Sequence, residues 1–446
     1  MKKIAFLSFV AALGGILFGY DTAVISGTIA AVGEQFRLDA MAKGWYVGCA
    51  LVGSIGGVAV AGWLSDRFGR KPTMLFSSVL FSVSAIGCAF CMGFTDLVVY
   101  RIIGGVGIGI VSIVSPVYIS EISPERMRGA MVGLYQLAIT MGFVLAYLVN
   151  YLLLVNLHVD ELWRVMLGAE AVITLFFFAV IFFIPESPRW LAAHGGLIEA
   201  ALPSVGRAVS MKPPVMDRRI PWNELRKPGI VKAIAIGCAI AILGQFMGVN
   251  AVLYYGPEIF ANAGFAAQDS SFSTVLVGLV NMFSTILAVF LIDRVGRKGL
   301  IYFGVSVMIV CLVAIGLMFQ QHVKGLAFVS VFLVYIFAQA ISISAVVFVL
   351  LSEMYPNKVR GVAMSVAGFA LWVGTYLIGQ FTPWCMATLG SSGTFYFFAA
   401  MCVPYMLIMW RLVPETTGRS LEEIEAYWDK SARKPFCNNS QLKNEV

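Results

Sequence analysis

The chain has 446 residues, 59% of them hydrophobic and only 12% charged, with a formal net charge of +7 and a mean hydropathy of +0.86. A soluble domain carries roughly 25% charged residues. Half that share, with apolar runs of about 20 residues recurring to the end, excludes a soluble globular protein and predicts an all-α membrane protein. The alternating, turn-punctuated pattern of an outer-membrane barrel is absent.

The first run, MKKIAFLSFVAALGGILF, mimics a signal peptide, two lysines followed by an apolar stretch. It continues past Asp21 with no small-residue cleavage pattern and reads as a retained first span. Twelve apolar segments are marked in chain order: 4–28, 44–64, 73–93, 97–119, 130–153, 165–184, 229–255, 271–292, 299–319, 325–352, 361–385 and 394–413. With both termini placed in the cytoplasm, the outer connections hold only Arg37, Lys43, Arg164 and Lys324, and Arg101 lies inside a span. All other lysines and arginines fall on the inner side. The positive charge therefore reflects topology and gives no ground for a nucleic-acid partner.

The longest polar stretch, 185–228, separates spans six and seven. Its RRIPWNELRKPG (218–229) reads as a basic amphipathic piece at the inner membrane surface. The expected organisation is a six-helix bundle over 1–190, a cytoplasmic loop over 191–228, a second six-helix bundle over 229–415 and a cytoplasmic tail over 416–446. The tail starts helically (SLEEIEAYW, 420–428) and ends in a disordered KNEV. Seven of the eight cysteines (Cys49, Cys88, Cys91, Cys238, Cys311, Cys385 and Cys402) sit in apolar runs and read as small core residues, with no disulfide framework.

The two halves echo each other. DRFGRK (66–71) returns as DRVGRK (293–298), EISPERMRG (121–129) as EMYPNKVRG (353–361), and PESPR (185–189) as PETTG (414–418). All three displacements are about 230 positions. Six spans per half is an even number, so both halves enter the membrane from the same side. That is the parallel repeat of the major facilitator fold, with a central site between the halves and rocking access. The repeated loop charges, Asp66, Arg70, Glu121 and Arg128 in one half and Asp293, Arg297, Glu353 and Arg360 in the other, suit a breakable latch on the inner side.

Several motifs point away from enzymes. GGVGIG (104–109) lies inside an apolar span beside Arg101, where small residues serve close helix packing. No Walker loop is present, so ATP hydrolysis is not the energy source. His158, His194 and His322 are scattered over loops and imply neither a metal site nor a triad. No cofactor is expected.

Asp21 is the one charge in its span. A lone carboxylate in hydrocarbon costs several kcal/mol and is a functional hypothesis by default. Counting depth from each face brings Arg101 on span four to a similar level. Two readings stay open, a permanent salt bridge between helices and an acid whose proton affinity changes with the nearness of Arg101. Glu170 on span six is a second intramembrane acid, expected to reach water or Arg164 near the outer interface.

The set GWLSDRFGRK (62–71), RIIGGVGIG (101–109), EISPERMRG, PESPRWL (185–191), DRVGRK, EMYPNKVRG and PETTGRSLEE (414–423) resembles the sugar porter family of the major facilitator superfamily, over nearly the whole chain. FGYDTAVISG (18–27) is most similar to bacterial xylose–proton symporters. The resemblance implies a proton-coupled symporter of the cell membrane, importing a monosaccharide or polyol and working as a monomer, with Asp21 and Arg101 in coupling. A proton-independent facilitator is the alternative, and a transporter-like sugar sensor a more distant one.

A sugar site needs amides to read hydroxyl pairs and aromatics to stack on the apolar ring face. At the family's positions these are Phe18, Gln136, Gln245, Asn250, Tyr254, Asn281, Phe348 and Trp372. The chain also departs from the family. Gly244–Gln245 stands where a glutamine pair is usual, SAVVF (344–348) replaces Gly-Pro-x-x-Trp, and Leu371–Trp372 replaces Gln-Trp. The substrate expected is therefore a deoxy sugar, a polyol or a sugar held in another pose.

Overall fold

The computed structural model describes residues 2–124, 127–194, 222–356, 359–415, 424 and 427–428, and every regular element among them is helical. Span one is α1 (Lys2–Val24), followed by a short 3-10 turn and α2 (Ile29–Gln35) at the face opposite the termini, here called the far face. Spans two to five are α3 (Ala40–Phe68), α4 (Arg70–Phe90), α5 (Phe94–Ile122) and α6 (Arg128–Asn156). Span six is broken into α7 (Leu162–Gly168) and α8 (Glu170–Ile181). Short α9 (Pro188–Ala193) and α10 (Trp222–Leu225) flank the connection between the halves, and most of the expected 191–228 loop lies outside the described residues, as does most of the tail.

Span seven is α11 (Pro228–Phe246) and α12 (Val249–Asn262), spans eight and nine are α13 (Ala267–Val295) and α14 (Arg297–Gln320). Span ten runs through α15 (Leu326–Gln339), a π turn at Ala340–Ser344, and α16 (Ala345–Met354). Among the described residues, eleven helical stretches are long and apolar enough to cross a membrane. The last, α17 (Arg360–Arg411), has 52 residues. At 1.5 Å per residue it would run roughly 78 Å, more than twice the ~30 Å hydrocarbon core. Gly390, at φ 70° and ψ 171°, breaks it into spans eleven and twelve. The result is twelve spans in two six-helix bundles, a major facilitator fold.

The breaks are where the sequence loses its helical preference. Gly248 separates α11 from α12 at φ 90°, and a Cβ there would lie 2.3 Å from the Phe398 ring, so only glycine fits both the backbone and the space. Tyr255, two residues before Pro257, leaves helical geometry at φ −110° and ψ 15° and kinks α12.

Helices within a half approach through small residues. A Cβ on Gly105 of α5 would sit 1.9 Å from the Ala50 carbonyl oxygen of α3, and one on Gly53 would sit 2.2 Å from that of Ile102. The run that mimics a nucleotide loop is thus a helix-packing stripe. Between halves, α3 packs on the span-eleven part of α17, and α6 packs on α13. The repeat exchanges these two seams, spans two and eleven for spans eight and five. Both lie toward the far face: Gly44 and Gly48 touch Gln380 and Tyr376 at one, and Tyr151 and Tyr147 meet Phe272 and Gly278 at the other.

At the terminal face the repeated loops close within their own halves. Arg70 forks onto both oxygens of Glu121 at 3.0 and 2.9 Å, and Arg297 reaches Glu353 at 2.9 Å. Asp66, largely exposed, pairs with Arg70 at 3.1 Å, and Arg360 donates to the Tyr355 carbonyl at 3.3 Å. The side chains of Arg128 and Asp293 lie outside the described residues. Glu186 accepts from the Arg70 and Lys71 backbone N–H groups at 2.9 and 3.1 Å, capping α4. Burial nonetheless pushes its carboxyl above the ordinary range.

The packing stripe is tested by a pair of variants. Gly105→Val is expected to destabilise the detergent-solubilised protein by about 1–3 kcal/mol through overpacking. Gly56→Val, one turn along α3 from Gly53 but facing outward with nothing within 4 Å of its Cβ, is expected to leave the thermal midpoint unchanged.

Candidate functional site

Asp21 lies near the far end of α1 and Arg101 two turns into α5, which starts at the far face, so the two arrive at one depth from opposite directions. The Arg101 Nη1 is 2.5 Å from Asp21 Oδ1, and Nη2 donates to the Asp21 backbone carbonyl at 3.4 Å. Asp21 is 1% exposed and Arg101 3%. Ions so fully withdrawn from water are tolerated only as a pair, and removing one partner typically costs about 3–5 kcal/mol.

Glu170 is also buried, 2% exposed. It does not reach Arg164 or the interface as the sequence suggested. Arg164 instead binds Glu161 at 2.6 Å and the carbonyl oxygens of Ala89 and Cys91. Glu170, at the start of α8, faces inward, within electrostatic reach of Asp21 and Arg101. Asp21 Oδ2, Glu170 Oε1, Arg101 Nε and the Tyr20 hydroxyl take no hydrogen bond among the described residues. Arg101 is thus engaged by Asp21, with a second buried carboxyl close by, in a site that leaves acceptors open. A single added proton would balance its charge and turn one acceptor into a donor.

A second cluster lies on the seam between halves. Phe18 of α1 stacks on Trp372 of α17, centroids 5.8 Å apart at 26°. The Gln245 amide oxygen accepts from Asn250 Nδ2 at 2.6 Å and from Thr375 Oγ1 at 3.2 Å. That leaves the Gln245 N–H groups as donors available to a ligand. Asn250 is brought to Gln245 by the turn at Gly248, which shortens the path between α11 and α12. Thr375 was missed in the sequence because a threonine inside an apolar span has no local signature.

The other candidates are placed less centrally. Tyr254 is buried, its ring 3.5 Å from where a Cβ on Gly379 would lie. Asn281 is buried with its carbonyl taking the Thr285 hydroxyl at 2.8 Å. Gln136 is exposed, and the Phe348 side chain lies outside the described residues. At Gly244 a Cβ would meet Ile343 at 3.5 Å and Tyr405 at 3.8 Å, ordinary contacts, so the missing side chain leaves a small apolar surface.

A twelve-span, two-bundle carrier fold with buried opposite charges in one bundle and amides and stacked aromatics at the seam defines a secondary transporter of the major facilitator type. The model of the "Sugar (and other) transporter" family matches residues 7–428, and the chain belongs to that family, within the sugar porters. It is 36% identical over 445 residues to the arabinose-proton symporter of Bacillus subtilis, covering 96% of each chain. The inward-open conformation of the xylose transporter XylE from E. coli superposes with a TM-score of 0.83, at 33% identity, over 95% of this chain and 100% of that one. The proton:xylose symporter XylE bound to 6-bromo-6-deoxy-D-glucose gives 0.75, at 34% identity, over 95% and 99%. The protein is an integral plasma-membrane protein.

The paired burial carries its own test. Arg101→Met strands a buried carboxylate and is expected to lower stability by about 3–5 kcal/mol. Combining it with Asp21→Leu removes the pair and leaves Glu170, which can be buried as the neutral acid, so the double variant is expected to recover most of that loss. Thermal unfolding of the three proteins in one detergent checks both steps.

Proposed function

We propose that the protein is a proton-coupled symporter that imports a monosaccharide or related polyol by alternating access. The observation that carries this reading is the charge imbalance of the Asp21–Arg101–Glu170 site, two acids against one base in a dry bundle, which one proton neutralises. The named activities of its relatives, proton symport of arabinose and of xylose, support it. Both termini face the cytoplasm in this reading, so the far face is extracellular and the structure, sealed there, faces inward. Residues 1–190 and 229–415 are the two moving bundles, joined by the 191–228 loop and followed by a cytoplasmic tail.

Solute binds at the seam, where Gln245 and Asn250 read hydroxyl groups and Phe18 and Trp372 offer an apolar platform. Gln136, Tyr254, Asn281 and Phe348 complete the site as the bundles rock. In the outward-facing state Asp66, Arg70, Glu121 and Arg128 meet Asp293, Arg297, Glu353 and Arg360 across the cytoplasmic face, exchanging their present partners within each bundle for partners in the other. A proton-independent facilitator is the second reading, favoured by the close Arg101–Asp21 contact, which would then be a permanent bridge.

Uptake of labelled sugars and polyols into vesicles, with a pH gradient imposed or absent, separates the two readings and identifies the solute. Asp21→Asn is expected to abolish gradient-driven accumulation while retaining solute exchange. Accumulation by this variant equal to wild type would remove Asp21 from coupling. Trp372→Ala is expected to weaken solute binding by about 1–3 kcal/mol through lost stacking and burial. Equilibrium binding to the purified variant measures it.

A further inference from the structure

The far-face seam holds an ion pair that neither the sugar site nor the coupling site uses. Lys43, in the first turn of α3, places Nζ 3.3 Å from Oε1 of Glu258 near the end of α12. One belongs to each bundle. By contrast Arg70–Glu121 and Arg297–Glu353 each join residues of a single bundle. The two side chains are about a quarter exposed and line a cavity of about 240 Å³ with Leu38, Asn262 and Pro383. The second Glu258 oxygen is buried and takes no hydrogen bond among the described residues. The pair is thus wet enough to break and reform, yet enclosed enough to attract.

The surroundings aim the pair. The Lys43 stem lies across Gly33 of α2, where a Cβ would sit 2.7 Å from its Cε, so the ammonium is directed over the seam. Two residues earlier in the same turn of α3, Gln380 of α17 donates to the Met41 carbonyl at 3.0 Å. Glu258 stands on the segment of α12 beyond the Tyr255 kink and next to Pro257, and α12 is itself cut from α11 at Gly248. Two backbone breaks, at Gly248 and Tyr255, thus separate the segment that carries Glu258 from α11. Elsewhere this helix packs on the 3-10 turn Ile25–Gly27 and on α1 of the first bundle, and the Tyr147 hydroxyl donates to its Leu253 carbonyl at 2.7 Å.

We propose that Lys43 and Glu258 are positioning residues for transport, a charge lock that holds α12 against the first bundle and favours the conformer closed at the far face. Opening that face separates the two charges and lets water take each. The lock acts on the conformational equilibrium whatever solute or ion is carried, so it stands independently of the function proposed above.

Hydrogen–deuterium exchange of the full chain in nanodiscs, without solute, tests it. Lys43→Met and Glu258→Gln are each expected to raise the far-open population roughly two- to five-fold, the range for a partly exposed pair. Amides in 29–48 and 376–390 would then exchange faster while those at the terminal face exchange more slowly. Lys43→Arg is expected to behave as wild type, and the charge swap Lys43→Glu with Glu258→Lys to restore wild-type exchange at both faces. Single variants that exchange like wild type overturn the lock. So does faster exchange confined to the far face, which marks local loosening, or a swap that stays as open as the singles.

Discussion

An ion pair sealed from water between the first and fourth spans sets the terms for the first bundle. Neither Asp21 nor Arg101 can be buried alone, because hydrocarbon offers no dipoles to replace the lost hydration. Their mutual attraction therefore dictates how α1 and α5 lie against each other. Gly14 of α1 makes that approach possible, since a Cβ there would sit 2.4 Å from Val111 Cγ2 and 2.8 Å from Ser115 Oγ of α5. Glu170 then enters a site whose single positive charge is already engaged. The bundle is stable as packed and yet retains open acceptor positions, a combination that suits a group meant to change protonation.

The seam between bundles follows different physics. Among the described residues it buries no charge as fully as the Asp21–Arg101 pair. It includes the approach of Gly44 to the Gln380 carbonyl, the Tyr147 hydroxyl donating to the Leu253 carbonyl, the Gln380 amide donating to the Met41 carbonyl, the Phe18–Trp372 stack and one partly wet ion pair. Each contact is worth about 1 kcal/mol or less, and an interface of such contacts separates without unfolding either bundle. The contrast matches what rocking requires, stiffness inside the bundles and weak, replaceable contacts between them. The repeat strengthens the point, since the two seams exchange under it and load the interface evenly.

The chain's departures from its family gather on the second bundle, and their surroundings show what replaces the missing groups. Gly244 leaves apolar wall formed by Ile343 and Tyr405. Ser344 stands at the end of a π turn and accepts from Gln339 Nε2 at 2.8 Å. Thr375 holds the remaining Gln245 oxygen. Polar capacity on this side is thus turned inward to satisfy the protein itself, which leaves fewer donors for a polyhydroxyl solute than a glutamine pair would offer.

The sequence by itself determined the class of fold, because a membrane forces backbone groups to pair within each segment and so writes each span as an apolar run. It also singled out Asp21, since a charge is conspicuous where charge is costly, and it placed Arg101 by depth because helical rise is constant. The join of spans eleven and twelve was legible in the small, polar residues around Gly390. Only the tertiary structure decided what Glu170 faces, because which side of a uniformly apolar span turns toward α1 and α5 is set by helix packing. The Gln245–Thr375 contact and the Lys43–Glu258 pair join residues 130 and 215 positions apart. No local period connects such positions; helix packing alone brings them together.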